Sequence, residues 1–244
     1  MRTDAIIRFD HVSKSYGENR VLADFNLSIN KGEFVTVIGS SGSGKTTMLK
    51  MINGLLTPTL GTIYVDGKDI ARENQTLLRR NIGYVIQGIG LFPHMNVRKN
   101  IAYVPELLNR RDKKRTARAV ERLIEVVGLE REMLDRYPAE LSGGQRQRIG
   151  IARALAANPE ILLMDEPFGA VDEITRKMLQ NEIARIHQTL GVTIVFITHD
   201  IKEALKLGTR ILVMNKGKVE QDGTPEEITL SPATAFVKEL VQIN

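Results

Sequence analysis

Gly39-Ser40-Ser41-Gly42-Ser43-Gly44-Lys45-Thr46 follows the apolar run Phe34 to Ile38 and precedes a helix-compatible stretch, Thr46 to Asn53. These eight residues match the pattern of a phosphate-binding P-loop. In this pattern, backbone amides at a helix N-terminus surround phosphates, the lysine reaches the terminal phosphates and the hydroxyl holds magnesium. An ordinary Gly/Ser turn would match the fixed positions by chance in about one chain in a hundred. The strand before and the helix after support the P-loop interpretation.

The composition describes an average globular chain. The 244 residues are 42% hydrophobic and 26% charged, with a net charge of +5 and no cysteine. No apolar run approaches the roughly 18 residues of a membrane-spanning helix, and residues 1–10 lack the apolar stretch of a secretory signal. The missing cysteine excludes disulfides, thiolate metal sites and a cysteine nucleophile. We therefore expect the chain to stay in the cytosol.

The order of patterns along the chain predicts an α/β fold. Ile6 to Phe9 and Val21 to Ile29 resemble strands, and the second alternates as a half-buried antiparallel strand does. Later runs have the character of buried parallel strands and are mostly separated by helical patterns. These runs are Gly83 to Ile86, Ile161 to Met164, Thr193 to Thr198 and Arg210 to Met214. We expect a mostly parallel sheet covered on both faces, preceded by an antiparallel β layer.

Between about Gly88 and Ala157, helical spacing replaces the strand signal. It recurs in Val97 to Leu108, Arg115 to Val127 and Gly143 to Ala157. This predicts an inserted helical subdomain over 88–157. The expected core then comprises 1–87 and 158–215, with a C-terminal strand and short helices in 216–244. We expect this to be one domain over 1–244 with no regulatory domain appended.

Two short helices are predicted near the end of the sequence. Thr224, Pro225 and Glu227 have the spacing of a capping box with proline in the first turn. Ser231 with Pro232 is expected to open the second helix.

Two carboxylates end one of the buried runs. Ile161 to Glu166 is interpreted as an apolar strand that places Asp165 and Glu166 at the carboxyl edge of a parallel sheet, where open α/β folds bind ligands. Asp165 would orient the water shell of magnesium. Glu166 would accept the proton of an attacking water, because neighbouring side chains on a strand point in opposite directions.

A third string, Leu141-Ser142-Gly143-Gly144-Gln145, has two compatible interpretations. Ser142 and Gln145 fit a capping box that starts a helix. A capped helix start with two glycines also presents amides and a positive dipole end to an approaching anion. The string would arise by chance in roughly one chain in several thousand, so capping alone does not explain it.

Downstream of a P-loop and just before an Asp-Glu strand, this string resembles the ATP-binding subunits of ABC transporters. The resemblance covers nearly the whole chain and implies a RecA-like P-loop NTPase core. Tyr16 matches the adenine-stacking aromatic of the family, Gln87 the glutamine-loop residue and His199 the switch histidine. Gly169-Ala170-Val171-Asp172 matches the aspartate loop, with valine where leucine is commoner.

The resemblance implies a set of site residues for ATP and Mg²⁺. The catalytic set is Glu166, His199, Lys45 and Gln87. The nucleotide-binding set is Tyr16, Gly39, Ser40, Ser41, Gly42, Ser43, Gly44, Lys45, Thr46, Thr47, Ser142, Gly143, Gly144, Gln145 and Asp172. The magnesium set is Thr46, Gln87 and Asp165. ATP on the P-loop of one copy would be capped by Ser142, Gly143 and Gly144 of a second, in a head-to-tail homodimer.

Within the family, Tyr84 to Met95 and Glu166 to Asp172 look like subunits of bacterial importers for quaternary amines such as glycine betaine, carnitine or choline. Gly88 and Glu173 differ from the residues that are common at these positions in those importer subunits. This resemblance implies transmembrane permease subunits as partners, an extracellular substrate-binding protein acting indirectly, and a place at the cytoplasmic face of the membrane. A permease helix is expected in a groove beside Gln87, so Phe92→Asp or Met95→Asp should break co-purification with the permease.

Other classes fit the sequence less well. A soluble ABC ATPase acting on ribosomes or DNA commonly has two cassettes or a long coiled coil, and a non-hydrolysing module has no need of Lys45, Glu166 and His199 together. An exporter half commonly carries its own membrane span. A basic run from Arg110 to Arg118 is interpreted as a solvated helix face, and without interleaved aromatics it gives no support for nucleic-acid binding.

Overall fold

The computed structural model describes residues 5–88, 90–108, 112–169 and 171–242. The strands within these ranges are β1 (Ala5–Tyr16), β2 (Asn19–Asn30), β3 (Phe34–Gly39), β4 (Leu60–Val65), β5 (Lys68–Asp69), β6 (Ile82–Val85), β7 (Ile161–Asp165), β8 (Thr193–Ile197), β9 (Arg210–Asn215) and β10 (Lys218–Gly223). The helices there are α1 (Lys45–Ile52), α2 (Gln75–Asn81), α3 (Val97–Leu108), α4 (Lys113–Val126), α5 (Gly143–Leu155), α6 (Glu173–Leu190), α7 (Ile201–Leu207), α8 (Pro225–Leu230) and α9 (Ala235–Gln242). Short 3-10 turns cover Arg131–Asp135 and Pro138–Glu140.

The chain forms two compact units. The first comprises Met1–Arg79 with Thr193–Asn244, and the second comprises Arg80–Val192. This division by compactness differs from the predicted boundaries of the helical subdomain at 88–157, which stay a prediction.

The first unit contains two layers of β structure. One is an antiparallel sheet in the order β2-β1-β4-β5, in which Phe9 packs edge-on against Phe25 at 5.3 Å between ring centroids. In the other layer β3 pairs in parallel with both β8 and β9, and β10 pairs antiparallel with β9. Every residue of β8 is buried, as expected of a strand covered on both faces.

The C-terminal helices close the apolar core of the first unit. Ile38 and Val213 of the sheet share a buried cluster with Ile201 of α7, Ile228 of α8 and Val237 of α9. The predicted capping box of α8 is confirmed, with Thr224 and Glu227 bonded reciprocally.

The predicted start of the last helix at Ser231 and Pro232 is wrong. That helix, α9, begins at Ala235, and the Thr234 hydroxyl accepts a hydrogen bond from the Val237 amide at 3.3 Å.

The second unit joins a parallel strand pair to helices. β6 pairs with β7, with Ile82 opposite Ile161. Helices α3, α4 and α5 of the expected insertion are all present. The interpretation of Ile161 to Glu166 as one strand is corrected, because β7 ends at Asp165 and Glu166 turns away with a φ of +45°.

Candidate functional site

The predicted P-loop lies in the first unit, between β3 and α1. Lys45 is 8% exposed, and its ammonium group donates hydrogen bonds to the carbonyl oxygens of Gly39 at 2.9 Å and Ser40 at 2.8 Å. A third bond goes to the Ser43 hydroxyl at 3.3 Å. The loop therefore wraps around its own lysine, which places a fixed positive charge inside a ring of backbone groups. The backbone amides of a loop at a helix N-terminus, rather than these carbonyl groups, are what suits a phosphate anion.

Gly44 shows why the loop needs glycine at its last turn. It is the N-cap of α1 with a left-handed φ of +96°. A Cβ atom there would lie 2.8 Å from Leu22 Cδ2, so the loop and β2 approach each other too closely for a side chain. A larger residue would be strained both by this backbone conformation and by its contact with Leu22.

Two further predicted residues of the first unit occupy the ends of strands. Tyr16 ends β1 and is 49% exposed, and the Lys14 ammonium lies 5.0 Å from its ring centroid. An exposed aromatic face is what base stacking requires. His199 follows β8 after Thr198 and is exposed.

The predicted acidic residues lie in the second unit. Asp165 is the buried last residue of β7, whereas Glu166 has a left-handed backbone, a conformation that costs of order 1–3 kcal/mol in a non-glycine residue and clusters at functional sites. The Gln87 side-chain amide donates a hydrogen bond to the Glu166 carboxylate at 3.2 Å. The structure thus brings the glutamine-loop residue and the predicted general base into direct contact. A turn of the backbone also separates Glu166 from the strand that ends at Asp165.

A half-buried phenol, that of Tyr84, lies close enough to Asp165 to sense its charge. The pKa of Tyr84 is raised to about 12, first by burial and second by the negative charge of Asp165. Both effects disfavour the phenolate. Tyr84 therefore stays protonated at neutral pH and reports on the charge of Asp165. Tyr84 was not among the predicted site residues, although it lies on β6 only three residues before Gln87.

The helix start at Ser142 confirms the predicted capping box. The Ser142 hydroxyl accepts from the Gln145 amide at 3.2 Å, and the Gln145 side-chain oxygen accepts from the Ser142 amide at 2.9 Å. A Cβ atom on Gly144 would lie 2.4 Å from Thr175 Cγ2 of α6. The second glycine of the string is thus required within a single chain by close packing.

Asp172 also has a structural role. It is the N-cap of α6, and its carboxylate accepts from the Thr175 amide at 3.0 Å. Hydrogen bonds from the side chain and backbone of Thr175 lower the pKa of Asp172. Thr175 therefore links the aspartate-loop residue to Gly144. Sequence reasoning missed it because a threonine in a first helical turn carries no distinctive pattern. Ala170, which belongs to the predicted aspartate loop, lies outside the described residues, as do Ile89, Arg110 and Arg111.

The segment before α3 is held by one buried amide. Asn100 is fully buried; its side chain accepts from the Phe92 amide at 2.9 Å and donates to the carbonyls of Phe92, Met95 and Asn96.

The Phe92 ring packs against Tyr103 at 4.9 Å, and the guanidinium carbon of Arg153 lies 5.5 Å from the Phe92 ring centroid. Phe92→Asp would disturb this packing as well as any partner surface. The exposed His94 is a better position for testing a permease contact.

The structure brings several predicted residues together within each unit. In the first unit these are Gly39, Ser40, Ser43 and Lys45; in the second they are Gln87 with Glu166 and Ser142 with Gln145. Among the residues described, no helix has both the length and the apolar character to span a bilayer.

Comparison with known proteins supports the sequence resemblance. A family model described as "ABC transporter" matches residues 22–169. Carnitine transport ATP-binding protein OpuCA of Listeria monocytogenes is 53% identical, over 97% of this chain and 59% of that protein. Glycine betaine/carnitine/choline transport ATP-binding protein OpuCA of Bacillus subtilis is 52% identical, over 97% of this chain and 62% of that protein. The chain thus spans about three fifths of the length of these relatives. Glycine betaine uptake system ATP-binding protein YehX of Escherichia coli is 49% identical, over 96% of this chain and 76% of that protein.

Solved structures confirm the predicted α/β fold. The ATP-binding cassette MJ0796, in a dimeric post-hydrolysis state bound to ADP and Pi, matches with a TM-score of 0.80 and 35% identity, over 90% of this chain and 98% of that one. CbiO1 of Clostridium perfringens, part of the ABC transporter complex cbiONQ, matches with a TM-score of 0.85 and 28% identity, over 94% of this chain and 92% of that one. With the P-loop, the capped Ser142 helix and the Asp165–Glu166 pair all present, the chain belongs to the ABC transporter family.

Proposed function

We propose that this chain binds and hydrolyses ATP as the ATP-binding subunit of an ABC importer. The observation that carries the proposal is the P-loop, in which Lys45 is held inside the loop by carbonyl groups at 2.8 and 2.9 Å. In this motif the lysine exchanges such contacts for the terminal phosphates when nucleotide binds. Phosphoryl transfer depends mainly on positioning and charge stabilisation, and a preformed loop supplies both.

The residues present fit a magnesium ion. The buried Asp165 carboxylate and the Thr46 hydroxyl are hard oxygen donors, and magnesium is usually bound by one or two carboxylates together with substrate phosphates and water. Thr46, Asp165 and Gln87 would hold the ion. When bound, Mg²⁺ neutralises charge on the phosphates.

Glu166 is the proposed general base for the attacking water. Its carboxylate accepts from Gln87 at 3.2 Å, and this bond orients the carboxylate before substrate arrives. His199 is proposed to contact the terminal phosphate, and Tyr16 to stack on the adenine. Glu166→Gln should lower ATP hydrolysis by about a hundredfold or more, as for loss of a general base, while ATP binding persists. Hydrolysis at the wild-type rate would remove Glu166 from this role.

A second copy of the chain is the proposed partner at the nucleotide. Ser142, Gly143, Gly144 and Gln145 begin α5 with capped amides at the positive end of a helix dipole, which favours an anion. In the proposed head-to-tail dimer, the P-loop nucleotide of one copy meets this helix start and Asp172 of the other. The dimeric state of the MJ0796 cassette supports this arrangement.

The proposed transported solute is a quaternary ammonium compound such as glycine betaine, carnitine or choline. Support comes from relatives of 49–53% identity named for these solutes. The partners are then permease subunits in the membrane and, indirectly, an extracellular substrate-binding protein. The chain would act at the cytoplasmic face of the membrane.

A second candidate solute is sulfate or thiosulfate. It is favoured by CysA of Synechococcus elongatus, a sulfate/thiosulfate import ATP-binding protein 46% identical over 96% of this chain.

Uptake distinguishes the two solutes. Cells that lack their own osmolyte importers, and that express this chain with its genomic neighbours, should accumulate labelled glycine betaine. Unlabelled choline or carnitine should compete and sulfate should not. Lys45→Ala serves as the matched control, because it removes the phosphate-binding lysine and leaves the permease surface unchanged. Sulfate uptake without betaine uptake would assign the second solute.

A further inference from the structure

A buried carboxylate that the proposed hydrolysis does not use lies in the first unit. Glu203, on α7, is 5% exposed. Glutamate is almost never fully buried unless it is paired, because a buried carboxylate must replace its lost hydration with hydrogen bonds. Thr198 is 2% exposed and supplies one of these bonds, since its hydroxyl lies 2.6 Å from Glu203 Oε2. The two side chains therefore form a buried pair next to His199 in the chain.

The direction of this hydrogen bond follows from a second contact of the same hydroxyl. The backbone amide of Asp200 lies 3.0 Å from Thr198 Oγ1. A backbone amide can only donate, so the hydroxyl accepts this bond. The single hydrogen of the hydroxyl is donated to Glu203. The Glu203 carboxylate thereby holds the Thr198 hydroxyl in the orientation that accepts from Asp200.

These contacts hold both neighbours of His199. Before it, the Thr198 amide donates to the Val37 carbonyl of β3 at 3.2 Å. After it, the Asp200 carboxylate caps α7 by accepting from the Lys202 amide at 2.8 Å. The bond from the Asp200 amide to the Thr198 hydroxyl closes the one-residue span between these anchors. The backbone that carries His199 is thus tied at both ends, whereas its side chain is exposed.

The P-loop begins at the same edge of the sheet. β8 pairs in parallel with β3, and Ile197 lies opposite Val37. β3 ends at Gly39, the first residue of the P-loop, and β8 is followed by Thr198 and His199. Ligands of open α/β folds bind outside the carboxyl ends of such strands. His199 therefore leaves the sheet at the edge where the phosphates are proposed to bind.

We propose that Glu203 and Thr198 are positioning residues for His199. The Glu203 carboxylate orients the Thr198 hydroxyl, and this hydroxyl fixes the turn that directs His199 toward the terminal phosphate. The inference rests on the proposed contact between His199 and that phosphate, and it adds the residues that set the direction of the contact. Both residues are buried, so they act through His199 and not by touching the nucleotide. Such an effect can be large, because a misplacement of about 1 Å can cost about a hundredfold in rate.

Single-turnover ATP hydrolysis, with the chain in excess over ATP, tests the pair. Thr198→Val removes the hydroxyl and keeps the side-chain shape, whereas Glu203→Met removes the acceptor and keeps the side-chain length. Each should lower the hydrolysis rate constant about tenfold or more through misplacement of His199. The affinity for ATP should change by about twofold or less, because the P-loop is unaltered. Thr198→Ser keeps the hydroxyl and should recover most of the rate.

Thr36→Val is the matched control. Thr36 is fully buried on β3, and its hydroxyl donates to the Ala204 carbonyl of α7 at 3.3 Å. The variant removes a buried hydroxyl that bonds to the same helix but is not next to His199. It should lower thermal stability and leave the hydrolysis rate within about twofold of wild type, because only a structural bond is lost. A rate as low as that of Thr198→Val would make the loss a general effect of stability and overturn the proposal.

The His199→Ala chain separates this inference from the function on which it rests. If the pair acts through His199, adding Thr198→Val to a slow His199→Ala chain should lower the rate by less than about twofold, because coupled residues are not additive. A full tenfold loss in that background would overturn the positioning role alone, as would a wild-type rate in Thr198→Val or Glu203→Met. An inactive wild-type chain, or wild-type hydrolysis by His199→Ala, would instead contradict the proposed function and the positioning role with it.

Discussion

The negative charge of Asp165 disfavours ionisation of the half-buried Tyr84 phenol. The Tyr84 pKa of about 12 compares with an ordinary value of 10.0. The unfolded chain would release the Tyr84 proton near pH 10.0, and the folded chain would release it only near pH 12. The unfolded state therefore binds fewer protons in that interval, and the free energy of unfolding falls as pH rises through it. Below the interval the contribution is fully present.

Asp165→Asn should lower the Tyr84 pKa without returning it to 10.0, because burial is the larger cause and remains. The measurement is a tyrosinate absorbance titration, with the signal of Tyr84 isolated by subtracting the curve of Tyr84→Phe in each background. An unchanged pKa in Asp165→Asn would show that no negative charge resides beside the phenol.

Gly144 is constrained by packing as well as by any contact with nucleotide. Gly144→Ala should destabilise the fold by about 1–3 kcal/mol through overpacking, because its Cβ would lie 2.4 Å from Thr175 Cγ2. Thr175→Ser removes that methyl group and should restore most of the lost stability in the double variant, measured by chemical denaturation. Gly169→Ala is the control, since its Cβ would meet the Glu166 carbonyl oxygen at an ordinary 3.6 Å. Equal losses at Gly144 and Gly169 would contradict the packing argument.

Single residues were predicted well where a pattern fixed their role. The capping pair Ser142 and Gln145 was read from spacing, because both partners of that interaction are close in sequence. The Tyr84–Asp165 and Gly144–Thr175 contacts were missed because they join distant segments, and no local pattern encodes them. The turn of Glu166 out of its strand was missed for a related reason, since propensity gives a glutamate no preference for a left-handed backbone.

At the scale of elements, the start of α5 both caps its helix and is proposed to contact ATP of the partner copy. Two substitutions at Ser142 separate these roles. Ser142→Asp keeps a good N-cap but places a negative charge where the partner's ATP is proposed to bind. Ser142→Ala removes the cap and should cost about 1 kcal/mol of stability. We expect Ser142→Asp to unfold like the wild type and to lose ATP hydrolysis, and Ser142→Ala to lose stability. Thermal denaturation and phosphate release check the two parts. An active Ser142→Asp chain would argue against nucleotide contact at this helix.

The bounds of β3, α3, α5 and β8 were predicted to within a few residues. β1 was predicted only over Ile6 to Phe9, whereas it extends to Tyr16. β4, β5 and α2 were not predicted; β5 has only two residues and α2 buries none of its residues, so neither shows a clear apolar period. The start of α9 was misplaced because Ser231-Pro232 and Thr234 both offer a cap, and only the packed structure selects Thr234.

At the scale of the whole molecule, we propose that ATP is bound and hydrolysed between two copies of the chain. Sequence patterns predicted the α/β fold and the order of its parts. The partner copy was implied only by the resemblance. We propose that the P-loop of one copy and the capped helix start of a second copy hold the nucleotide between them.

The most direct measurement is the molecular mass of the Glu166→Gln chain by light scattering, with and without ATP and magnesium. Slow hydrolysis should preserve the bound nucleotide and trap the pair, so the mass should double when ATP and magnesium are present and not when ADP replaces ATP. Adding Ser142→Asp to the same chain should abolish the doubling. A mass that stays that of one chain, although ATP is bound, would contradict hydrolysis between two copies.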